Sequence, residues 1–305
     1  NISASFNSAV TIYIIIPFLI IPQILFSGVL VKFEKLNPVI TSQSIVPLIG
    51  EVMASRWAFE ALAVNQFVEN DYEKLFYDYD QQMSDANFKK NFWIPEMKAK
   101  VGKFKEYLRN KESADIQDLT SDFKTVRGEV SKENKFNDAI TFDELDQFTL
   151  GGINQELLED FSTYLTTLNK LYVRQWNYNI DEKDRVIREH QKTDEEKTAF
   201  NNLRNNFENE SLSDLVTNKN EFNQITEYDG ELIQRADPVF NIPDGFRSHF
   251  YAPKKLVFGK YYSTKQVNVL VLWLMSIALA ISLYFDGLKR LLNVFSEVKI
   301  FNKKK

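Results

Sequence analysis

The sequence predicts an all-α membrane protein in which two transmembrane helices, one near each end, flank a large helical domain outside the cytoplasm. About 23 residues from Ala9 to Val31 and about 19 from Val267 to Phe285 carry no charge, and roughly 20 apolar residues cross a bilayer. Both stretches are apolar on every side, whereas a core helix of a soluble protein usually keeps a polar face. A pair of buried core helices is the alternative for this pattern.

The distribution of charge predicts the orientation. The net charge is −5, but the acidic excess lies between the two apolar stretches, while the tail 287–305 is rich in Lys. By the positive-inside rule, the tail is cytoplasmic and the middle of the chain lies outside. An acidic middle also argues against nucleic acid as a partner, because binding to nucleic acid requires a basic face.

The amino-acid composition limits the chemistry available to the chain and indicates its cellular compartment. The chain has no Cys, which excludes disulfides, thiolate metal sites and a cysteine nucleophile. Abundant Asn, Lys, Ile, Phe and Tyr favour an AT-rich bacterial genome, and hence a bacterial inner membrane with a periplasmic domain. Because the chain starts at Asn1 without Met, a basic region or a cleavage site, we expect a fragment of a longer protein and not a signal peptide.

These patterns divide the chain into six segments. They are the first transmembrane helix (1–32), a re-entrant or interfacial segment (33–70), a helical periplasmic domain (71–237), an irregular return to the membrane (238–265), the last transmembrane helix (266–286) and a basic cytoplasmic tail (287–305). Pro17 and Pro22 predict that the first helix bends and packs against neighbours. Aromatic residues before the last helix, including Phe258, Tyr261 and Tyr262, predict an aromatic belt at the membrane surface.

The periplasmic segment shows helical periodicity. Its clearest apolar face is formed by Leu157, Phe161, Tyr164, Leu165, Leu168, Leu171, Tyr172 and Trp176. This spacing predicts long antiparallel helices.

Motifs for catalysis are not found in the sequence. No phosphate-binding loop of the type G-x-x-x-x-G-K-[ST] occurs, so this fragment by itself is not expected to hydrolyse ATP. The two histidines, His190 and His249, stand apart from any cluster of metal ligands. We therefore predict no catalytic residue and no metal site here.

Two short segments, IPQILFSGVLV at 21–31 and SRWAFEALAVNQF at 55–67, carry a family resemblance. They resemble, in order and spacing, the fifth membrane helix and the re-entrant segment of G-subfamily ABC exporters, the white and pleiotropic-drug-resistance type. The family's F-S-G-x-L step is matched by Phe26, Ser27, Gly28 and Leu30. Its R-[YW]-x-F-x-A-L-x-x-N-[EQ]-F segment is matched by Arg56, Trp57, Phe59, Ala61, Leu62, Asn65, Gln66 and Phe67.

The last apolar stretch is similar to the sixth and final membrane helix of that family. The middle departs from it, because animal members have a much shorter outer loop, often with disulfides, whereas this chain has a large insertion without Cys. The resemblance implies the C-terminal part of a half-transporter that pairs with a second half-transporter. It also implies a nucleotide-binding domain upstream that holds ATP and Mg, with no cofactor in this fragment.

The resemblance further implies roles for particular residues. Ile20, Ile21 and Ile24 would face the substrate pathway, and Val29 with Leu30 would form an apolar valve. The alternative is that these side chains face lipid or neighbouring helices. In the re-entrant segment, Arg56 and Glu60 are one helical turn apart and can form an ion pair at the membrane edge, or else a plain surface salt bridge.

Three functions remain open from the sequence. The first is the permease part of an ATP-driven exporter that moves an apolar or amphipathic substrate out of the cytoplasm, with membrane lipid and a periplasmic protein as further partners. The second is a two-span periplasmic sensor or signalling protein. The third is a mechanotransmitting ABC protein that acts on a periplasmic partner instead of passing cargo through itself.

Overall fold

The structure, a computed structural model, describes residues 1–6, 8–37, 44–111 and 115–293. It is mostly helical, with 66% of residues in helices and few strands. The α-helices are α1 (Ile2–Ser5), α2 (Ala9–Leu25), α3 (Leu48–Glu51), α4 (Ala54–Val68), α5 (Tyr77–Phe88), α6 (Ile94–Arg109), α7 (Ile116–Phe136), α8 (Gln155–Glu189), α9 (Asp194–Phe207), α10 (Glu210–Val216) and α11 (Thr264–Tyr284). The strands are β1 (Ile225–Tyr228), β2 (Glu231–Gln234), β3 (Lys254–Val257) and β4 (Lys260–Ser263).

The four strands form two separate antiparallel hairpins, β1 with β2 and β3 with β4. The prediction of a mostly helical protein is confirmed, and the second hairpin lies in the segment expected to be irregular. The chain divides into two compact units. The terminal unit comprises residues 1–65 and 243–305, and the central unit comprises residues 66–242.

The central unit is built around an aromatic core that α5, α6, α7 and α8 surround. Asn154 caps the start of α8, where its side chain accepts a hydrogen bond from Leu157 N at 2.9 Å. Its apolar face packs inward as the periodicity predicted, and the buried members are Leu157, Leu158, Phe161, Tyr164, Leu165, Leu168 and Tyr172. At 35 residues the helix is about 52 Å long, from the rise of 1.5 Å per residue.

A π-helical turn at Lys89–Trp93 joins α5 to α6. Pro95 sits in the first turn of α6 and has no backbone N–H to donate, so the regular ladder of hydrogen bonds is interrupted here. Trp93 is fully buried, and its indole nitrogen donates to Glu129 at 2.8 Å. Lys89 donates to Glu133 at 2.7 Å.

Three acidic residues form a buried stripe along α7, which we call the α7 stripe: Asp122, Glu129 and Glu133. Asp122 accepts from Lys100 at 2.5 Å and from Lys103 at 2.9 Å. Glu129 accepts from Trp93, Lys132 and the backbone of Leu232. Glu133 accepts from Lys89 and Tyr172. Every carboxylate oxygen in the stripe therefore has a hydrogen-bond donor, as buried charge requires.

In the terminal unit, α2 is shorter than the span that the sequence predicted. It ends at Leu25 after 17 residues, with Pro17 and Pro22 inside it. Gly28 has a φ of +83°, which a residue with a side chain rarely adopts, and its ideal Cβ would lie 2.6 Å from the Phe33 ring. The chain therefore turns out of the helix here and does not continue as a helix to Val31.

Helix α11 is the one described helix long and apolar enough to cross a membrane. It has 21 residues. Its most apolar stretch has a mean hydropathy of 2.2, and only 11% of the residues in that stretch are buried. Ser263 caps its start in a reciprocal arrangement with Gln266. Length and composition thus fit a membrane span for α11, whereas α2 is a shorter apolar helix of 17 residues. Most of the basic tail, residues 294–305, lies outside the described residues.

Substitution of Phe161 tests the aromatic core of the central unit. Its ring is fully buried and lies 5.0 Å from that of Phe148 and 5.1 Å from that of Phe142. We expect Phe161→Ala to lower the free energy of unfolding by about 3–5 kcal/mol. The matched control is Phe222→Ala, at a side chain that is 98% exposed, which should change it by less than about 0.5 kcal/mol. Urea unfolding of the purified protein followed by circular dichroism measures both, and equal effects would contradict the assigned core.

The pH dependence of stability tests Asp237 in the central unit. Burial raises the pKa of this carboxyl above its ordinary value of 3.8, although Ser84 donates a hydrogen bond to it. Its ionisation therefore opposes folding, and its contribution to stability is greatest below pH 3.8 and declines as the pH rises through the raised pKa. We expect Asp237→Asn to unfold at a higher temperature than the wild type at pH 7, with the gap closing toward pH 4. A gap that does not change with pH would contradict the shift.

Candidate functional site

Helix α4 places Arg56 and Glu60 on the same face, one turn apart. Both side chains are fully buried, and an Arg56 nitrogen, Nη1, lies 3.4 Å from Glu60 Oε2. Trp57, Ala61 and Val64 are buried on the same helix. The pair predicted from the spacing is therefore present, and it lies inside the terminal unit and not on its surface.

Glu60 is the centre of a larger group of polar side chains. Its Oε2 atom lies 3.0 Å from Lys255 Nζ and accepts a hydrogen bond from Asn268 Nδ2 at 2.7 Å. Lys255 comes from β3 and Asn268 from the first turns of α11, and both are fully buried. One carboxylate oxygen thus connects α4, β3 and α11. We call Glu51, Arg56, Glu60, Lys255 and Asn268 the ionic cluster.

Arg56 has further neighbours within the ionic cluster. Its Nη2 lies 3.4 Å from a carboxylate oxygen of Glu51. Its guanidinium carbon stands 4.0 Å from the centre of the Trp57 ring, with Lys255 Nζ 5.0 Å from the same ring. The Trp57 indole donates to the backbone oxygen of Glu51 at 2.7 Å. Both cations of the cluster therefore lie over one indole, whose π face attracts them.

The electrostatics of the ionic cluster favour an ionised Glu60. Burial by itself would raise the pKa of this carboxyl, but attraction to Lys255 and Arg56, together with the Asn268 hydrogen bond, lowers it below its ordinary value. The cations hold the negative charge in place although the side chain has no contact with solvent.

Four buried polar atoms of the ionic cluster have no hydrogen-bond partner among the described residues. They are Glu60 Oε1, Asn268 Oδ1, Arg56 Nε and Arg56 Nη1. Buried polar atoms in native structures usually have a hydrogen-bond partner, so these four atoms can each donate or accept a further hydrogen bond.

The F-S-G-x-L step, which directly follows α2, has defined contacts. Ser27 Oγ donates to Ile24 O at 2.8 Å and accepts from Val29 N at 3.3 Å. Phe26 and Val29 are partly buried. The Leu30 side chain just beyond is 67% exposed. The step thus ends α2 and presents an apolar side chain at the surface of the terminal unit.

Helices α2 and α4 are joined by hydrogen bonds close to this step. The hydroxyl of Ser55 donates to the backbone oxygen of Gln23 at 2.5 Å, and Ser55 N donates to Gln23 Oε1 at 3.2 Å. The two segments that carry the family resemblance are therefore in direct contact.

The remaining predicted residues occupy several environments. Ile20, Ile21 and Ile24 on α2 are about half exposed, at 50%, 52% and 47%. The Phe59 ring lies 6.4 Å from that of Tyr251 in the terminal unit. Asn65 is partly buried at the end of that unit. The buried Phe67 packs 5.8 Å from Phe240 within the central unit, so the predicted re-entrant segment contributes to both units.

Sequence reasoning missed Lys255, Asn268 and Glu51. A weak signal existed for Asn268, because an amide inside an otherwise apolar stretch needs a polar partner. Lys255 is one of several lysines before α11, and its separation of almost two hundred residues from Glu60 hides the contact.

No group of three or more His, Cys, Asp or Glu side chains that could hold a metal ion occurs within the described residues. No protein-family model, curated protein or solved structure matches the chain.

A double-mutant cycle tests the ionic cluster. We expect Glu60→Gln to lower the free energy of unfolding by about 3–5 kcal/mol, because Lys255 and Arg56 would lose their buried counter-charge. Adding Lys255→Met should recover part of the loss, since it removes one unpaired cation. Unfolding of the purified protein in one detergent measures both variants.

The matched control is Glu231→Gln, which removes the half-exposed partner of Lys132 and should change stability by less than about 1 kcal/mol. Strictly additive effects of Glu60→Gln and Lys255→Met would show that these two side chains are not coupled.

Proposed function

We propose that the chain is the membrane-permease part of an ATP-driven exporter that moves an apolar or amphipathic substrate out of the cytoplasm. In this proposal α2 and α11 are the fifth and sixth membrane helices of a half-transporter, and α4 belongs to the re-entrant segment between them. A second half-transporter completes the pathway, and a nucleotide-binding domain upstream holds ATP and Mg. The central unit lies in the periplasm and the tail in the cytoplasm.

The observation that carries the proposal is the contact between the two resembling segments. Ser55, directly before Arg56 of the R-[YW]-x-F segment, is hydrogen-bonded to Gln23, three residues before Phe26 of the F-S-G step. The contact supports treating the two segments as one functional unit. The ionic cluster adds the last helix, because Asn268 of α11 donates to both Glu60 and the Trp57 backbone oxygen.

Exposed apolar side chains supply a second argument. Large hydrophobic residues are exposed along both apolar helices, among them Phe18 and Leu19 on α2 and Trp273, Leu274 and Ile277 on α11. Contiguous exposed apolar surface of this kind requires lipid or another protein to cover it. A bilayer and a second half-transporter would provide that cover.

The proposed mechanism assigns different tasks to the two connections. The Gln23–Ser55 hydrogen bonds hold the re-entrant segment against the end of α2, and the ionic cluster holds it against α11. A tilt of either helix is therefore transmitted to α4. Val29 and Leu30 follow Gly28 directly, so a conformational change of the F-S-G step moves the apolar valve. In its closed state this valve excludes water and ions, and it opens for an apolar substrate.

Mechanotransmission is the second candidate. The observation that favours it is the central unit itself, with its 35-residue helix α8 and the fully hydrogen-bonded α7 stripe. A rigid domain of this kind is suited to transmitting a conformational change to a periplasmic partner protein. Such a protein would hydrolyse ATP in its complete form without passing cargo through itself. A two-span sensor would need neither ATP nor a valve.

Transport by the full-length protein tests the valve. In inverted membrane vesicles, we expect ATP-dependent uptake of a fluorescent amphipathic lipid analogue, and Leu30→Asp should reduce it by about tenfold or more, because a charge is unfavourable in an apolar constriction. The matched control is Leu48→Asp on α3, where the exposed fraction of 70% is close to the 67% of Leu30.

Uptake by Leu48→Asp should stay near the wild-type rate at equal protein abundance. Normal uptake by Leu30→Asp would contradict the valve. ATP hydrolysis without uptake in the wild type would favour mechanotransmission, and the lack of any response to ATP would favour a sensor.

A further inference from the structure

The β3–β4 hairpin has an unusual residue at its tip. Val257 pairs with Lys260, so Phe258 and Gly259 form a two-residue turn. Both have positive φ angles, +49° for Phe258 and +77° for Gly259. Turns of this geometry favour Asn-Gly or Asp-Gly, whereas a bulky side chain at positive φ is an outlier that needs a reason.

Packing within the structure does not supply that reason. The Phe258 side chain is 102% exposed relative to its reference state, so it contributes no buried area to the terminal unit. A residue that strains the turn and stabilises nothing in the fold indicates a binding role outside the fold.

The surroundings of Phe258 define the chemistry of the partner. Tyr261 and Tyr262 on β4 are exposed, at 49% and 44%. Lys254 and Lys260 are exposed beside them. No Asp or Glu occurs from residue 245 to residue 285, although the whole chain is acidic. The patch is therefore both aromatic and basic, which suits a bilayer surface with anionic headgroups.

The hairpin is rigidly connected to α11. Strand β4 ends at Ser263 and the helix begins at Thr264 with no linker. Thr264 N donates to the backbone oxygen of Pro253 at 3.1 Å, next to the start of β3. Lys255 joins the same strand to Glu60. A helix that crosses the membrane therefore holds the hairpin close to the membrane surface.

We propose that the β3–β4 hairpin is a membrane-surface anchor, in which Phe258 inserts at the boundary between headgroups and acyl chains and Lys254 and Lys260 contact anionic headgroups. The proposal rests on α11 spanning the membrane, as in the proposed function.

Insertion of Phe258 at this depth also determines the orientation of the hairpin relative to the membrane surface. Four residues of β4 extend about 13 Å, more than the thickness of the headgroup layer, so the hairpin lies along the surface and does not stand upright.

Spin labelling in the full-length protein, with any cysteine upstream of Asn1 replaced by Ser, tests the anchor. This chain has no Cys, so each introduced thiol is then the sole labelling site. The protein is reconstituted into phosphatidylcholine vesicles that contain phosphatidylglycerol. Nitroxides are placed at Phe258→Cys, at Leu274→Cys in α11 and at Glu195→Cys on exposed α9. Collision rates with oxygen, which partitions into lipid, and with a water-soluble nickel chelate report the depth of each label.

We expect the label at 258 to favour oxygen over nickel, as at 274, and the label at 195 to favour nickel. A nickel-dominated label at 258 beside an oxygen-dominated label at 274 would overturn the anchor and leave the membrane span intact. Nickel-dominated labels at both positions would overturn the span, and with it the proposed function and the anchor.

A second pair of variants tests the Phe258 side chain itself, because a nitroxide is apolar and replaces it. A label at Lys260→Cys is compared with and without Phe258→Asn. Asparagine suits the turn, so the hairpin should stay folded and the unfolding temperature should not fall. We expect the substitution to raise nickel accessibility at position 260 several-fold. Unchanged accessibility at 260 would overturn the role of Phe258.

Discussion

The terminal unit depends on the buried carboxylate of Glu60. One of its oxygens receives Lys255, Arg56 and Asn268 together, at 3.0, 3.4 and 2.7 Å. These partners come from three separate elements, so the negative charge is a shared requirement of α4, β3 and α11. Replacing both members of a buried ion pair with apolar side chains is often neutral, whereas removing one member alone is strongly destabilising. Here the loss of Glu60 would leave two cations buried without a counter-charge, which makes the carboxylate difficult to remove alone.

The position of Glu60 determines where the neighbouring apolar helices carry polar side chains. Asn268 lies in the second turn of an apolar helix, and the residues after it are exposed and apolar. The polar connection is thus confined to the end of α11 that adjoins the hairpin, and the rest of the helix is left uniformly apolar. Helix α2 is likewise connected to α4 near its end, through Gln23 and Ser55. Both apolar helices are therefore linked to α4 near one end each, and Asn1 Nδ2 donates to Leu279 O near the other end of α11.

The local parts of this architecture could be predicted from the sequence, and the long-range parts could not. Helical spacing predicted the buried face of α8 because the signal lies within one element. The spacing of Arg56 and Glu60 likewise predicted a pair, but burial was not predicted, since it depends on Lys255 and Asn268 from the far end of the chain. The length of α2 was overestimated because the uncharged, apolar stretch continues beyond Ser27 and Gly28. The helix itself ends before them, and Gly28 has a positive φ angle. The β3–β4 hairpin was missed because its Phe-Gly turn is not a usual hairpin signal.

The two buried polar networks of the protein differ in a way that bears on function. In the α7 stripe of the central unit, all carboxylate oxygens of Asp122, Glu129 and Glu133 have donors. In the ionic cluster, Glu60 and Asn268 each keep one oxygen without a partner. A fully satisfied buried network rigidifies the packing around it, so the stripe is suited to rigidity. In the cluster, a single oxygen of Glu60 carries the contacts from α4, β3 and α11, so a change in any of these elements acts on the same atom.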